Sequence, residues 1–488
     1  MTIRLYDTKA QALRDFVPLV DGAAGIYVCG PTVQSSPHIG HLRSALVYDL
    51  WRRWLTYRGF TVTLVRNVTD IDDKILANAS TGSATGSGSA TGGGSATGGE
   101  EWWALAYRVE LEFTRGYQAL GILAPTYEPR ATASVAEMQA VIARLIESGH
   151  AYPAADESGD VYFDTASWPA YGELTRQKPE NMEAAADADP RGKRAPQDFA
   201  LWKGWKTTEP KSAAWASPWG DGRPGWHIEC SAMSSRYLGP QFDIHGGGLD
   251  LRFPHHENEI AQSTAAGDKF ANYWVHNGLV NVNGQKMSKS LGNSIFASEF
   301  LDQARPLVVR YYLGSAHYRS TIDYHDGALV EAEAALDRIE TFLDRASRLL
   351  ADSPFAGSGA PVPPTEFADA MDDDLAIPQA LAVLHDRIRA GNAALDSENL
   401  ATAAQIRGEV TAMTEVLGIN PHSPEWRATT SVPADRALST LVERLIEDRN
   451  VARDARDFAA ADRIRAELAA AGITVEDSPN GTHWSIEP

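Results

Sequence analysis

The stretch Ile26-Tyr27-Val28-Cys29-Gly30-Pro31-Thr32-Val33-Gln34-Ser35-Ser36-Pro37-His38-Ile39-Gly40-His41 decides the fold of this chain of 488 residues. Its apolar beginning, Ile26 to Cys29, reads as a short strand, and the Pro- and Ser-rich middle reads as a loop. From His41 onward Leu42, Leu46, Leu50 and Trp54 recur every fourth position, as on one face of a helix. A strand, a loop and a helix N-terminus in succession make an anion site, because unpaired backbone N–H groups and the helix dipole both favour phosphate. Gly40 lets a ring approach the backbone, and His38 and His41 can donate hydrogen bonds to a phosphate as charge develops on it. A second strand, Phe60 to Val68, runs into Thr69-Asp70-Ile71-Asp72-Asp73-Lys74. Ligands of open α/β sheets collect at the C-terminal ends of strands, so Thr69, Asp70 and Asp72 are expected either to line a site or to cap the next helix.

Far downstream, Lys286-Met287-Ser288-Lys289-Ser290 puts two ammonium groups on a loop that ends in Leu291-Gly292-Asn293 and can close over a departing pyrophosphate. His38-Ile39-Gly40-His41 followed by this string resembles the paired motifs of class I aminoacyl-tRNA synthetases. The resemblance implies an α/β, Rossmann-type parallel-sheet catalytic domain that works on Mg-ATP. It also implies that His38, Gly40, His41, Lys286, Ser288 and Lys289 contact ATP, with His38, His41, Lys286 and Lys289 as the catalytic groups.

On this basis residues 1–125 form the first half of the catalytic domain, 126–215 a connective insertion, and 216–320 the second half with the lysine loop. Residues 321–368 are expected to be a stem helix and linker, 369–430 a helical tRNA-binding domain, and 431–488 a small α+β domain on the anticodon side. Inside the first half, 80–100 repeats Ser-Ala-Thr-Gly with almost no side chain to bury, which predicts a flexible loop. The insertion carries a helical pattern, Val135 to Gly149, and an irregular segment, Asn181 to Gln197. The second half contains Phe242-Asp243-Ile244-His245-Gly246-Gly247-Gly248, whose glycines imply close approach of the backbone to a ligand. Asp326 to Leu350 reads as a helix, Ala351 to Pro364 as a linker, and Leu381, Leu384, Ile388 and Leu395 mark another helix, followed by Ala401 to Leu417. A cut after about Ala368 is therefore expected to leave the catalytic part folded. Leu438 to Leu468 reads as one helix whose Arg449, Arg453, Arg456 and Arg463 alternate with acids, so a salt-bridged solvated face is expected there rather than an RNA contact. Two short strands, Ile473 to Glu476 and Thr482 to Ile486, follow around Ser478-Pro479-Asn480-Gly481.

Pro254-His255-His256-Glu257-Asn258-Glu259 opens a further helix and sets His255 and Glu259 one turn apart; His256 with Glu259 fits nearly as well. Cys29 and Cys230 are the only cysteines, too few for a disulfide framework. Two thiolates, an imidazole and a carboxylate suit Zn²⁺, and Cys29 sits where the first strand enters the phosphate loop.

With these residues in place the resemblance narrows. Val28-Cys29-Gly30-Pro31-Thr32, Asn67 to Lys74, Gly225-Trp226-His227-Ile228-Glu229-Cys230-Ser231-Ala232-Met233, His245 to Gly248, Phe253 to Glu259 and the two paired motifs together resemble the cysteinyl-tRNA synthetase family. The family resemblance implies one zinc ion held by Cys29, Cys230, His255 and Glu259 that binds the substrate thiolate. It implies Gly30, Thr69, Trp226, His227 and Asp250 around the amino acid, and L-cysteine, ATP and tRNA(Cys) as partners of a monomer. The serine/glycine repeat departs from the family pattern. An alternative from the same core is the cysteine ligase of mycothiol synthesis, which joins cysteine to an amino-sugar and lacks the long C-terminal part.

The net charge of −20 argues against a broadly basic nucleic-acid surface and leaves RNA binding to local patches. No run of eighteen apolar residues occurs, and Met1 to Val20 carries Arg4, Asp7, Lys9, Arg14 and Asp15 instead of a basic-then-apolar leader. A cytoplasmic enzyme with no membrane partner is expected.

Overall fold

Four parallel strands carry the centre of the protein, in the spatial order Thr61–Arg66, Ala23–Val28, Gln241–Gly248 and Phe270–Asn277. Ala24, Ile26, Tyr27 and Val28 are all buried, as expected of a parallel strand covered on both faces. The first of these strands in the chain is paired on one side with Thr61–Arg66, reached through helix Ile39–Tyr57, and on the other with Gln241–Gly248, which arrives only after the insertion. The reversal opens a crevice at the carboxyl ends of Ala23–Val28 and Gln241–Gly248, the ligand position of open α/β sheets. The computed structural model describes residues 2–82, 99–177, 191–287, 292–356, 361–427, 431–478 and 481–486. Most of the 80–100 repeat, part of the Asn181 to Gln197 segment, Ser288 and Lys289, Gly357 and Gly359 of the linker, and Pro479-Asn480 lie outside those residues.

The helix expected from His41 begins at Ile39, with His38 as its N-cap. Apolar spacing marks the buried face and not the cap, so periodicity alone starts the helix late. Of the three glycines, Gly246 and Gly247 serve close packing, while Gly248 lines the cavity. A Cβ on Gly246 would lie 2.2 Å from Tyr48 Cε1, and one on Gly247 would lie 2.8 Å from His256 Cε1. Tyr48, on the motif helix, donates to the Val275 carbonyl at 2.8 Å and thereby pins that helix to the sheet.

The insertion contributes helix Val135–Glu147 and an antiparallel sheet of Ala151–Pro153, Val161–Phe163, Phe199–Gly204 and Gly222–Pro224. The chain divides into two compact units, Met1–Asn420 and Pro421–Pro488. Helices Thr365–Asp372, Ile377–Asp396 and Leu400–Leu417 belong to the first unit. The expected cut after Ala368 falls inside this unit. Trp54 donates to Asp372, Tyr318 donates to Asp374, and the buried Arg310 bridges Asp49 at 2.7 Å and the Leu417 carbonyl at 2.9 Å. A cut after Ala368 would leave Arg310 paired with Asp49 but without the Leu417 carbonyl, and would take the acceptors Asp372 and Asp374 from the buried Trp54 and Tyr318, at roughly 1–3 kcal/mol for each buried group left unsatisfied. The compact unit that contains the catalytic sheet ends at Asn420.

In the second unit, Val442, Ile446, Leu468, Ile473 and Val475 form a small core. The single helix expected from Leu438 to Leu468 is two, Ser431–Asp454 and Phe458–Ala470. Arg456 takes a left-handed φ of 60°, and Asp457 caps the second helix by accepting from the Ala460 N–H. Arg449 is buried, so the expected four-arginine solvated face retains only Arg453, Arg456 and Arg463. The hairpin Ile473–Ser478 and Gly481–Ile486 completes the unit. No described helix is long and apolar enough to cross a membrane.

The two ends of the serine/glycine repeat meet. A Cβ on Gly99 would fall 2.1 Å from the Ala79 carbonyl oxygen, so helices Asp73–Thr81 and Trp102–Ala119 are already adjacent. Ordering the repeat would cost about 1–2 kcal/mol per residue with little to bury. Joining Gly82 to Gly99 through a two-residue linker is therefore expected to leave the melting temperature unchanged and activity within a few-fold of the parent. A hundredfold loss in a folded variant would show that the repeat is part of the machinery.

Candidate active site

A cavity of about 350 Å³ lies at the carboxyl edge of the sheet, lined by Cys29, Gly30, Gln34, His38, Gly40, His41, Lys74, Trp226, Asp250, Asn277, Lys286 and Met287, among others. Its phosphate side is the N-terminus of helix Ile39–Tyr57, whose first turn carries no acidic residue to occupy the positive end of the dipole. The His38 N–H donates to His41 Nδ1 at 3.1 Å, and the two rings stack with centroids 3.7 Å apart. A Cβ on Gly40 would lie 3.0 Å from His38 Cε1, so the ring rests on the glycine. Downstream of the lysine loop the chain returns to this helix start: Ile39 N–H donates to the Ile295 carbonyl at 3.1 Å and Ala297 N–H to the Pro37 carbonyl at 2.8 Å. The two motifs, remote in sequence, thus share one wall. Lys286 is exposed at the cavity rim, at the end of the short strand Gln285–Lys286.

Behind Cys29 lies a buried donor cluster. One ligand atom each from Cys29, Cys230, His255 and Glu259 lie within 4.8 Å of one another; Cys29, His245, His256 and Glu259 meet the same criterion. The two sulfurs are 3.6 Å apart, Cys29 Sγ donates to Glu259 Oε1 at 3.1 Å, and His255 Nε2 is 2.9 Å from the same oxygen. A tetrahedral ion with Zn–S bonds of about 2.3 Å separates its two sulfurs by about 3.8 Å, so the first set needs to open by only a few tenths of an ångström. The donor chemistry of two thiols, one imidazole and one carboxylate fits zinc. Glu259 Oε2 meanwhile bonds His245 Nε2 at 2.7 Å, which orients the carboxylate and leaves Oε1 to the cluster.

Electrostatics in the cluster are those of charge shared in a dry pocket. Burial, reinforced by Cys230 and Glu259, pushes the Cys29 thiol up. Burial also raises Cys230, but the hydrogen bond from Cys29 and the neighbouring His255 outweigh it and bring that thiol down to about 6. His255 loses basicity to burial yet is raised to about 10 by Glu259 and Cys230. Burial opposes ionisation of Glu259 as well, and His245 and His255 overcome it, holding the carboxyl well below its usual range.

Of the residues expected around the amino acid, Gly30, Trp226 and Asp250 line the cavity, while Thr69 and His227 do not. Trp226 stacks on His255 with centroids 4.2 Å apart, and His227 Nδ1 is 2.9 Å from His255 Nδ1, so His227 touches the donor cluster from behind the cavity wall. Burial and the neighbouring His255 push His227 well below the ordinary imidazole range. Asp72 caps helix Asp73–Thr81 by accepting from the Lys74 N–H, and Asp70 accepts from the Thr132 N–H and hydroxyl. Both acids therefore serve structure.

Sequence reading missed His245 and His276, which sit one strand apart in the buried histidine set with His256, and Asn67 and Glu229 behind Gly30. The placing of His245 at the end of a strand beside three glycines was the available signal for the first; Asn67 and Glu229 lie in stretches that carry the family resemblance, with no local pattern to give them a role.

Residues 15–334 match the family model described as tRNA synthetases class I (C) catalytic domain, 366–420 the DALR domain, and 435–484 the cysteinyl-tRNA ligase anticodon binding domain. A cysteine–tRNA ligase of Leifsonia xyli subsp. xyli is 72% identical over 487 residues and one of Clavibacter sepedonicus 70% identical over 493, each alignment covering 100% of both chains. Among solved structures, the methionyl-tRNA synthetase of Mycobacterium tuberculosis in complex with methionyl-adenylate is similar at a TM-score of 0.57 and 17% identity, covering 81% of this chain and 90% of that one. At that identity the likeness is one of fold.

Proposed function

Because the chain belongs to the cysteine–tRNA ligase family of ATP-dependent class I aminoacyl-tRNA synthetases, we propose that it activates L-cysteine with Mg-ATP and transfers the cysteinyl group to the 3′ end of tRNA(Cys), as a cytoplasmic monomer. The observation that carries the substrate assignment is the donor cluster of Cys29, Cys230, His255 and Glu259 directly behind the wall of the phosphate cavity. These four residues would hold Zn²⁺, which when bound supplies a soft Lewis acid for the substrate's sulfur.

The chain's own groups do the rest of the work by placement and charge. The N-terminus of helix Ile39–Tyr57, with His38 and His41, holds the α-phosphate region, and Gly40 lets the nucleotide lie close to the backbone. Lys286, Ser288 and Lys289 hold the pyrophosphate end, so positive charge is already in place as the leaving group gathers negative charge. Gly30, Trp226 and Asp250 orient the amino acid from the cavity wall, with Thr69 and His227 supporting that wall from behind, which brings the carboxylate in line with the α-phosphorus. No side chain acts as a covalent nucleophile: the carboxylate oxygen forms the new P–O bond, the bond to pyrophosphate breaks, and the tRNA hydroxyl later displaces AMP from the activated carbonyl.

Cysteine-dependent exchange of pyrophosphate into ATP, followed by charging of purified tRNA(Cys), tests this reading. Exchange without charging, together with transfer of cysteine to an amino-sugar, would favour the mycothiol ligase instead. We assign tRNA recognition to the helices after Thr365 and to the C-terminal unit. Ending the chain at Asn420 is expected to leave pyrophosphate exchange within about twofold while tRNA charging falls by an order of magnitude or more. A folded truncation that charges with unchanged efficiency would remove the C-terminal unit from RNA binding.

A further inference from the structure

Glu229 is an acid buried to 1% exposure on helix Trp226–Leu238, and none of the roles assigned above uses it. Its Oε2 accepts a hydrogen bond of 2.5 Å from the hydroxyl of Thr69. Thr69 Oγ1 in turn accepts from Asn67 Nδ2 at 3.3 Å, and Asn67 Oδ1 accepts from the Gly30 N–H at 2.8 Å. Asn67 and Thr69 are also only 1% exposed, so water does not compete for these bonds.

The chain has a direction. Thr69 has one hydroxyl proton, and Glu229 takes it; the threonine oxygen is left as an acceptor and draws the NH₂ side of the Asn67 amide. Asn67 must then turn its carbonyl toward the Gly30 N–H. Without an acceptor at 229 the Thr69 proton can point at the NH₂ side of Asn67, which sets donor against donor and leaves the amide held only by the Gly30 N–H and the Cys230 thiol at its carbonyl oxygen. The Gly30 turn is also pressed against the Asn67 backbone, since a Cβ on Gly30 would lie 1.6 Å from the Asn67 carbonyl oxygen. On the other side of the same turn, Cys29 N–H donates to the Gly246 carbonyl at 3.1 Å. The segment that carries Cys29 and Gly30 to the cavity wall is therefore clamped from both neighbouring strand ends, and one clamp takes its polarity from Glu229.

We propose that Glu229 is a positioning residue for amino-acid binding: through Thr69 and Asn67 it fixes the Cys29–Gly30 turn against which the substrate cysteine sits. The inference rests on the reading of this wall as the cysteine site. It assigns Glu229 no contact with substrate and no proton transfer.

Two variants separate its acceptor from its bulk and charge. Glu229→Gln keeps a carbonyl oxygen of the same reach, and Glu229→Met keeps the volume without an acceptor. In zinc-loaded full-length protein, Glu229→Met is expected to weaken cysteine binding by calorimetry about ten- to a hundredfold, the effect of orphaning a buried polar chain. The KM for ATP and the metal content should stay at parent values, and Glu229→Gln should bind cysteine within about threefold of the parent. Thr69→Val breaks the same chain one bond further on and carries the same expectation if the Met variant does not fold. Unchanged cysteine affinity in Glu229→Met overturns the proposal, as does an equal loss of ATP affinity or of metal, which would mark a merely structural residue. Trp226→Ala distinguishes the two readings. If it weakens cysteine binding and Glu229→Met does not, only the role of Glu229 falls; if neither does, the cysteine site itself is misassigned.

Discussion

Lys289→Ala is expected to lower the turnover of cysteine-dependent pyrophosphate exchange by about 10²–10³-fold, the usual effect of removing one preorganised charge donor from a developing anion. Dissociation constants for cysteine should change by no more than a few-fold. The reason for the split is that substrate binding does not alter the charge on the β-phosphate, whereas its departure does, so an ammonium there is worth most in the transition state. Lys286 stands at the cavity rim, and just past the lysine string the carbonyls and N–H groups of Ile295 and Ala297 are tied to the start of the motif helix. Lys286 and Ile295 both stand beside the cavity, which is the basis for expecting the lysine string to act there. Rapid-quench measurement of adenylate formation, with cysteine binding measured separately, reads the two quantities. Equal rates of exchange in mutant and parent would remove Lys289 from the chemistry.

The site was legible in the sequence where local pattern and chemistry coincide, and obscure where distant groups decide. Ile26 to His41 shows its strand, loop and helix because apolar spacing and punctuation are local properties. Two lone cysteines and a helix that opens on His255, His256 and Glu259 narrow the candidate donors, and the family resemblance is what implies His255 over His256. Asn67 and Glu229 fall inside stretches that carry the family resemblance, but no local pattern gives them a role, which comes from meeting Gly30 and Thr69 across the top of the sheet. The same holds for Arg310: a charge in the apolar helix Pro306–Ser315 looks like a surface residue until Asp49 and the Leu417 carbonyl are found around it. The same limit applies to the expected cut after Ala368, which falls inside the compact unit Met1–Asn420. Composition changes there, but buried hydrogen bonds do not respect the change. Helical propensity likewise hid the break at Arg456, since alanine and arginine favour helix on both sides and the capping Asp457 is a single residue.

Cys230→Ser is expected to cut discrimination against serine to what shape alone can give. Cysteine and serine differ by one atom, and a pocket that reads shape alone separates near-isosteres by only about 10–200-fold, whereas accurate protein synthesis needs roughly 10⁴ or more. The difference has to come from a contact that responds to sulfur as such. Cys29 forms part of the cavity wall, and Cys230, His255 and Glu259 stand directly behind it, a donor set suited to a soft cation at the place where a substrate side chain would arrive. Cys230 is the thiol of the pair held low, at about 6, and it is ready to ligate near neutral pH without a large cost of deprotonation. A serine at this position keeps the size of the residue but offers a hydroxyl that ionises far less readily and binds zinc weakly. Zinc content is therefore expected to fall from about one per chain to a small fraction. Cysteine affinity should fall by about 10²-fold or more while serine affinity stays within a few-fold, so that the ratio of the two drops into the range that shape alone can give. A readout independent of turnover comes from cobalt-substituted parent protein, whose sulfur-to-metal charge-transfer absorption should change on adding cysteine and not on adding serine. Parent protein that contains no stoichiometric metal and still binds cysteine far more tightly than serine would defeat this account, because the selectivity would then have to reside in the pocket walls alone.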